Sequence, residues 1–208
     1  MIRNIMTWNV RGSGEDVNKK IEELCNCIEK YDPLIILLQD AGCEKDNNYI
    51  NALVDNSYVV YDVVAGYTKR YRLITAVRYD IEVDESPGRI EYPSTYQDDA
   101  NVRRPLLLKG SYNGVHFHLY NVYNITNQCK SKSEIIDLYT YIQSDGAQQR
   151  IVAGDFNMTS TLNHLNIQGY NCKRNNLDHI TATLSLINSH HIQSYSDHEI
   201  FICEIDFQ

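Results

Sequence analysis

At 208 residues the chain is long enough for one domain with a sizeable core. Its 43% hydrophobic and 22% charged residues place it among ordinary soluble globular proteins. A formal net charge of −8 argues against a broad basic surface that grips polyanions everywhere, though a bound cation can invert the field locally. The cysteines at 25, 27, 43, 129, 172 and 203 include no CxxC pair, so free thiols are expected rather than a zinc site. The start has no basic-then-apolar leader, and no apolar run approaches the ~20 residues of a membrane span. Asn124-Ile-Thr126 and Asn157-Met-Thr159 are glycosylation sequons, and a glycan would ruin a functional Asn157. The expectation is a cytoplasmic or intracellular protein.

In chain order, IRNIMTWNV (2–10) reads as an opening strand. In residues 15–30, Val17, Ile21, Leu24, Cys25 and Ile28 form one helical stripe, with acidic residues at the start and Lys30 at the end. PLIILLQD (33–40) is a fully apolar strand behind a helix-stopping Tyr-Asp-Pro. Residues 58–66 and 71–79 read as two further strands, and 84–104 as an exposed loop. Asn113-Gly114 sits between two alternating runs and signals a hairpin over 104–124. Residues 132–143 form a second amphipathic helix. RIVAGDFN (150–157), LDHITATLSL (177–186) and SDHEIFICEIDF (196–207) are strand-like. Strands with few interspersed helices predict mixed sheets covered by helices, a layered α/β or α+β fold in one domain over 1–208.

These strands carry polar groups at their ends. Asn9 closes the first, Gln39-Asp40 the second, Asn121 and Tyr123 the hairpin's return strand, and Asp155 and Asn157 the strand RIVAGD. Asp178 opens the next, and Ser196-Asp197-His198 precedes the last. One polar strand end is ordinary turn chemistry; six in sequence suggest a site. Gly154 permits a sharp turn, and Asp155 and Asn157, two apart, leave the strand on the same side. His179 alternates to the other face and is read as structural, His116 and His118 as sheet-surface residues, and His190 and His191 as loop residues.

The ordered set, with GDFN and SDH as its most specific pieces, resembles the metal-dependent endonuclease/exonuclease/phosphatase superfamily over nearly the whole chain. The resemblance implies a four-layer DNase-I-like sandwich, two packed mixed β-sheets flanked by helices, with the active site at one end. It implies Asp40 as acidic metal ligand beside Asn9, with Asp197 helping to hold metal or solvent. Oxygen donors suit Mg²⁺, with Mn²⁺ as a substitute. His198 resembles the histidine on the scissile phosphate, oriented by Asp178. Asp155 resembles the carboxylate that positions and deprotonates water, and Asn157 a donor to the phosphoryl oxygens.

Two positions depart from the pattern. Tyr123 stands where DNase I and the cytolethal distending toxin nuclease subunit carry histidine. The exonuclease III, AP endonuclease and LINE endonuclease branches carry tyrosine there, and its hydroxyl can donate to a phosphate. Asp40 replaces the usual glutamate and reaches roughly 1.5 Å less far. LQDAG and Arg104-Pro-Leu-Leu are similar to the toxin branch, in which Arg104 and Arg70 would contact phosphate. Arg103 and Arg104 together suit phosphate recognition by forked donors. Asn121 is expected among the phosphate-binding groups. The short interval from Asn157 to Asp178 favours backbone contacts over sequence reading. The resulting expectation is a monomeric Mg²⁺-dependent phosphodiesterase acting on DNA or RNA, foremost a DNA endonuclease of low specificity. The alternatives are a phosphatase on phosphoinositide or another small phosphate, and an impaired phosphate- or DNA-binding relative.

Overall fold

The computed structural model describes every residue except 13–15, 43–46, 67–70, 97, 98, 100, 161 and 166. In chain order the elements are β1 (Ile2–Asn9), α1 (Val17–Tyr31), β2 (Ile35–Gln39), α2 (Asn48–Asp55), β3 (Tyr58–Val64) and β4 (Arg72–Arg78). Two short strands follow, β5 (Glu82–Val83) and β6 (Gly88–Arg89), then the hairpin β7 (Leu106–Tyr112) and β8 (Val115–Tyr123). The chain continues through α3 (Gln128–Gln143), β9 (Gln149–Asp155), a 3₁₀ turn at Leu162–Leu165, β10 (Asn171–Asn175), β11 (Asp178–Ala182), β12 (Ser185–Ile192) and β13 (Ile200–Asp206).

These strands make two sheets. The first has the order β12-β13-β1-β2-β4-β3, and the second β10-β11-β9-β8-β7-β5 with β6 also on β7. Both are mixed, because β1 pairs parallel with β2 and β8 parallel with β9, whereas the other pairs are antiparallel. A parallel pair needs a crossover connection, and α1 and α3 are those crossovers. Three apolar layers result. Ile5, Leu37, Leu108, Leu119, Ile151 and Phe201 fill the space between the sheets. Met6, Trp8, Leu24, Ile28, Tyr49 and Leu53 join the first sheet to α1 and α2. Tyr120, Ile135, Leu138, Val152 and Phe156 join the second to α3. Each fully buried aliphatic side chain contributes about 1.5–3 kcal/mol, so the order helix, sheet, sheet, helix follows from strands that are apolar on both faces.

Several boundaries differ from the sequence reading. LDHITATLSL is two strands: β11 belongs to the second sheet and β12 to the first, and the chain crosses between sheets at Thr183-Leu184. His190 and His191 consequently lie on β12. Helix α2 is only eight residues, too short for periodicity to reveal, and β10 is a polar edge strand without alternation. On α1 the buried stripe is Lys20, Leu24, Cys27 and Ile28, so Cys27 replaces Cys25, and the first turn has no acidic residue. Segment 84–104 is not simply an exposed loop. Tyr92, Val102, Arg103 and Arg104 are buried, and Tyr92 and Ser94 hydrogen-bond to Glu134 on α3. Among the described cysteines, 25, 27, 129, 172 and 203 are free; Cys43 lies outside the described residues. No described helix is long and apolar enough to cross a membrane.

Two glycines are required. Asn113 and Gly114, with φ of 50° and 77°, make the two-residue turn of the β7–β8 hairpin. Gly154 has φ of 139°, and a Cβ there would lie 2.0 Å from Val122 O on the parallel neighbour. The glycine lets β9 press against β8 at the point where both strands become polar.

Candidate active site

Along each central strand the side chains facing the other sheet change from apolar to polar at the same end. The sequence of inward residues is Ile5, Thr7, Asn9 on β1, Leu37, Gln39 on β2, and Leu119, Asn121, Tyr123 on β8. It is Ile151, Ala153, Asp155 on β9 and Ala182, Ile180, Asp178 on β11. Register then aligns them: Tyr123 pairs with Asp155, Asp155 with Asp178, and Asn9 with Gln39. Residues in register share a face, so three strands deliver Tyr123, Asp155 and Asp178 side by side at one end of the core.

Asp155 is 1% exposed and held by three donors. Its Oδ2 accepts from Asn9 Nδ2 at 2.9 Å and Asn157 Nδ2 at 3.0 Å, and its Oδ1 accepts from the Asn157 backbone N–H at 2.8 Å. Asn157 takes a left-handed φ of 49°, which brings its amide back onto the carboxylate. His198 Nδ1 lies 2.9 Å from Asp178 Oδ2, and its Nε2 lies 3.8 Å from Asp155 Oδ2. The loop bearing this histidine is tied down: Ser194 Oγ and Trp8 Nε1 donate to His198 O, and Ser196 Oγ donates to Asn9 O. A cleft of about 340 Å³ opens beside the ring, lined by Asn175, Asn176, Asp178, Gln193, Asp197 and His198 among others.

Burial raises the pKa of Asp155, against the charge of His198 and the donors Asn9 and Asn157. Burial likewise raises Asp178, only partly offset by its hydrogen bond to His198. For His198, burial acts downward, but the Asp178 hydrogen bond and the charges of Asp178, Asp155 and Asp197 outweigh it and lift the ring to about 9. The surroundings favour the charged form of the ring, with Nδ1 on Asp178 and Nε2 turned towards Asp155. Asp40 is raised by burial, opposed by Arg103, Tyr123 and Arg11. Tyr123 is raised by burial and stays a phenol, donating to Asp40 Oδ2 at 3.4 Å.

The sequence-predicted residues fall into three groups. Asn9, Asp40, Tyr123, Asp155, Asn157, Asp178 and His198 converge. Asp197 stands on the rim, exposed, 2.6 Å from Arg11 Nη1, a partner the sequence did not suggest. Asn121 and Arg104 are elsewhere. Asn121 is 0% exposed and one step deeper than Tyr123. It accepts from Gln39 Nε2 at 2.8 Å and donates to Ile74 O at 2.9 Å, stitching the two sheets together. Arg104 turns to the α3 side, with Nε 3.2 Å from Glu91, Nη1 3.7 Å from Glu134 and the guanidinium over Tyr92. Its neighbour Arg103 takes the site side, over the rings of Tyr123 and Tyr71. Arg70 lies outside the described residues. Asn157 Nδ2 donates to Asn124 O and to Asp155, so in this structure its amide is turned to the carboxylate. His179 is structural, stacked on Phe156 with Nε2 3.1 Å from Met158 O. His116 is exposed, and His118 sits 2.8 Å from Asp145 on the outer face.

Two places offer donors for a divalent cation. Asp155, Asp178 and His198 bring ligand atoms within 4.8 Å of one another. A cation among them would have to displace the His198–Asp178 hydrogen bond. Asp40 offers a carboxylate whose burial disfavours its charge; Asp197 is close enough to raise it further, and Asn9 meets the Tyr123 hydroxyl that Asp40 accepts. All-oxygen donors next to an under-compensated carboxylate suit a hard ion.

The fold has known counterparts. It is similar to the endonuclease/exonuclease/phosphatase from Bacteroides vulgatus, with a TM-score of 0.80, 13% identity and 100% of both chains covered. It is similar to the human Nocturnin catalytic domain with bound sulfate anion, at 0.79 and 14%, over 100% of this chain and 95% of that one. A third is D. rerio TDP2 complexed with single strand DNA product, at 0.75 and 16%, over 99% of each chain. No curated protein sequence matches the chain. The model of the Endonuclease/Exonuclease/phosphatase family, whose members hydrolyse phosphoester bonds, matches residues 6–198, a span that takes in every strand tip described above. With that span matched and its two mixed sheets flanked by helices as in that family's DNase-I-like sandwich, the chain belongs to the endonuclease/exonuclease/phosphatase family.

Proposed function

We propose that this protein is a divalent-metal-dependent phosphodiesterase on nucleic acid, cutting DNA internally with little sequence preference. The observation that carries the reading is His198 between two carboxylates, 2.9 Å from Asp178 and 3.8 Å from Asp155. Its Nε2–H donates to a non-bridging phosphate oxygen, while Asp178 fixes the tautomer and the charge. Asp155, oriented by Asn9 and Asn157, holds the attacking water and takes its proton. Tyr123, kept as a phenol by burial, donates to an oxygen of the reacting phosphate. A divalent cation at Asp40 and Asn9, Mg²⁺ or Mn²⁺, supplies positive charge to the phosphoryl oxygens when bound.

Two points favour nucleic acid. The similar D. rerio TDP2 structure holds a single strand DNA product. The residues at the site end are polar and charged, as a phosphate backbone requires. Supercoiled plasmid incubated with Mg²⁺ or Mn²⁺, with and without EDTA, tests the reading. Metal-dependent nicking that is lost in Asp155→Ala supports it. Equal nicking by wild type and variant, or none at all, rejects it. Phosphate release from inositol lipids without nicking would replace the substrate class.

A further inference from the structure

Arg103 is 7% exposed yet brings a full charge to the site end of the molecule. Its guanidinium carbon lies 3.7 Å from the ring centroid of Tyr123 and 4.1 Å from that of Tyr71. The two rings meet edge to face, their centroids 5.7 Å apart. Arg103 Nη1 donates to Asn124 O at 2.5 Å. The same carbonyl accepts from Asn157 Nδ2, which also donates to Asp155. Arg103 Nε is buried without a hydrogen-bond partner among the described residues. An unpaired buried N–H is costly, and the two aromatic faces together with the charges of Asp40 and Asp155 offset that cost.

We propose that Arg103 is the positioning residue of this site: lodged against Tyr71 and Tyr123, it fixes the Tyr123 ring so that the hydroxyl stays on Asp40. Its kinetic consequence rests on the phosphodiesterase reading above. Tyr123 is the last residue of β8, paired with Asp155 at the end of the strand. Among the described residues Arg103 is the one cation over the Tyr123 ring, and without it the Tyr71 edge contact and core packing are left to orient the hydroxyl. The hydrogen bond to Asn124 O joins this half of the site to the Asp155 half through one carbonyl. A planar guanidinium can stack on the Tyr123 face while donating to Asn124 O, which a tetrahedral ammonium does not reproduce.

Arg103→Lys and Arg103→Ala, each with melting temperature, kcat and KM measured on plasmid or oligonucleotide, provide the kinetic test. The expected result is a kcat at least about tenfold lower, one lost interaction in the transition state, with KM within about twofold. Millimolar guanidinium, far below denaturing levels, is expected to restore part of the Arg103→Ala rate but none of the Arg103→Lys rate. A second arm needs no activity. In protein labelled at the tyrosine Cζ with ¹³C, the resonance missing in Tyr123→Phe belongs to Tyr123, and it should move in Arg103→Lys and in Tyr71→Leu. Wild-type kcat in Arg103→Lys, a rise in KM alone, or an unmoved Tyr123 resonance would each overturn the proposal. If the wild-type protein cleaves no phosphodiester, the functional reading falls while the resonance arm still decides the role of Arg103.

Discussion

Asp178 Oδ2 lies 2.9 Å from His198 Nδ1, and this hydrogen bond together with the charges of Asp178, Asp155 and Asp197 outweighs burial in setting the charge of the ring. The folded pKa of about 9 lies above the ordinary value of 6.5, so the imidazolium form is the one the fold stabilises. That contribution is complete below about pH 6.5 and is lost as pH rises through 9. If the charged ring serves the phosphate, kcat should fall on the alkaline side near the same pH. In Asp178→Asn the alkaline limb should shift to lower pH and kcat at neutral pH should drop roughly a hundredfold, as expected for a disturbed acid–base group. A pH–rate profile of both proteins checks this, and an unshifted limb would remove His198 from the reaction.

Asp40 should govern metal affinity. Asp40→Ala is expected to weaken Mg²⁺ or Mn²⁺ binding at least about tenfold by titration calorimetry, and to abolish any rise in melting temperature on adding the ion. Because burial raises the Asp40 pKa, protons compete with the ion at low pH, and affinity should tighten as pH rises through the raised value. Undiminished affinity in the variant would move the ion to the Asp155, Asp178 and His198 group.

Asn121 should matter to stability and not to substrate. Asn121→Leu strips Ile74 O of its donor and Gln39 Nε2 of an acceptor, at a cost of about 2 kcal/mol or more. Chemical denaturation measures the loss, and KM of the folded fraction should stay at its wild-type value. A raised KM with unchanged stability would return Asn121 to the phosphate.

His179 should make the protein acid-sensitive for a reason separate from the site. Burial lowers its pKa to about 4, so the folded ring stays neutral while the unfolded ring protonates near 6.5. Between those values the unfolded chain binds more protons, and stability falls as pH falls, by about 3 kcal/mol at most from this group. In His179→Gln, a neutral side chain, stability should depend less on pH over that range. An identical slope would remove His179 as its cause, since the buried carboxylates, whose pKa values are raised, act with the opposite sign.

Much of this arrangement was legible because strands have a period of two. Alternation in RIVAGD or TWN tells which side a residue takes, and the polar tips announced that several strands end at one place. What alternation does not give is depth. Asn121 and Tyr123 share a face, but one pairs beside Ala153 and the other beside Asp155, and only the second reaches the site. Nor does parity continue beyond a strand. Leu106 and Leu108 face the other sheet, and counting back by twos would aim Arg104 inward. Residues 102–105 precede β7, however, and there the chain turns Arg104 to Glu134 and Arg103 to Tyr123. The ion pair of Arg11 with Asp197 joins residues 186 apart and leaves no local signal.

The left-handed glycine at 154 also constrains how this sequence can drift. Val122 O occupies the space where any other side chain would begin, so position 154 admits no substitution without parting β8 from β9. The same two strands carry Tyr123 and Asp155 one residue further on. Losing one residue between Ile151 and Asp155 would put the carboxylate on the helix side and Phe156 in its place. The strand could then remain a sound strand in a protein that no longer had anything to react with. Sequence change in this part of the chain is expected to be constrained in two ways: position 154 stays glycine, and insertions and deletions that reverse the alternation are not tolerated.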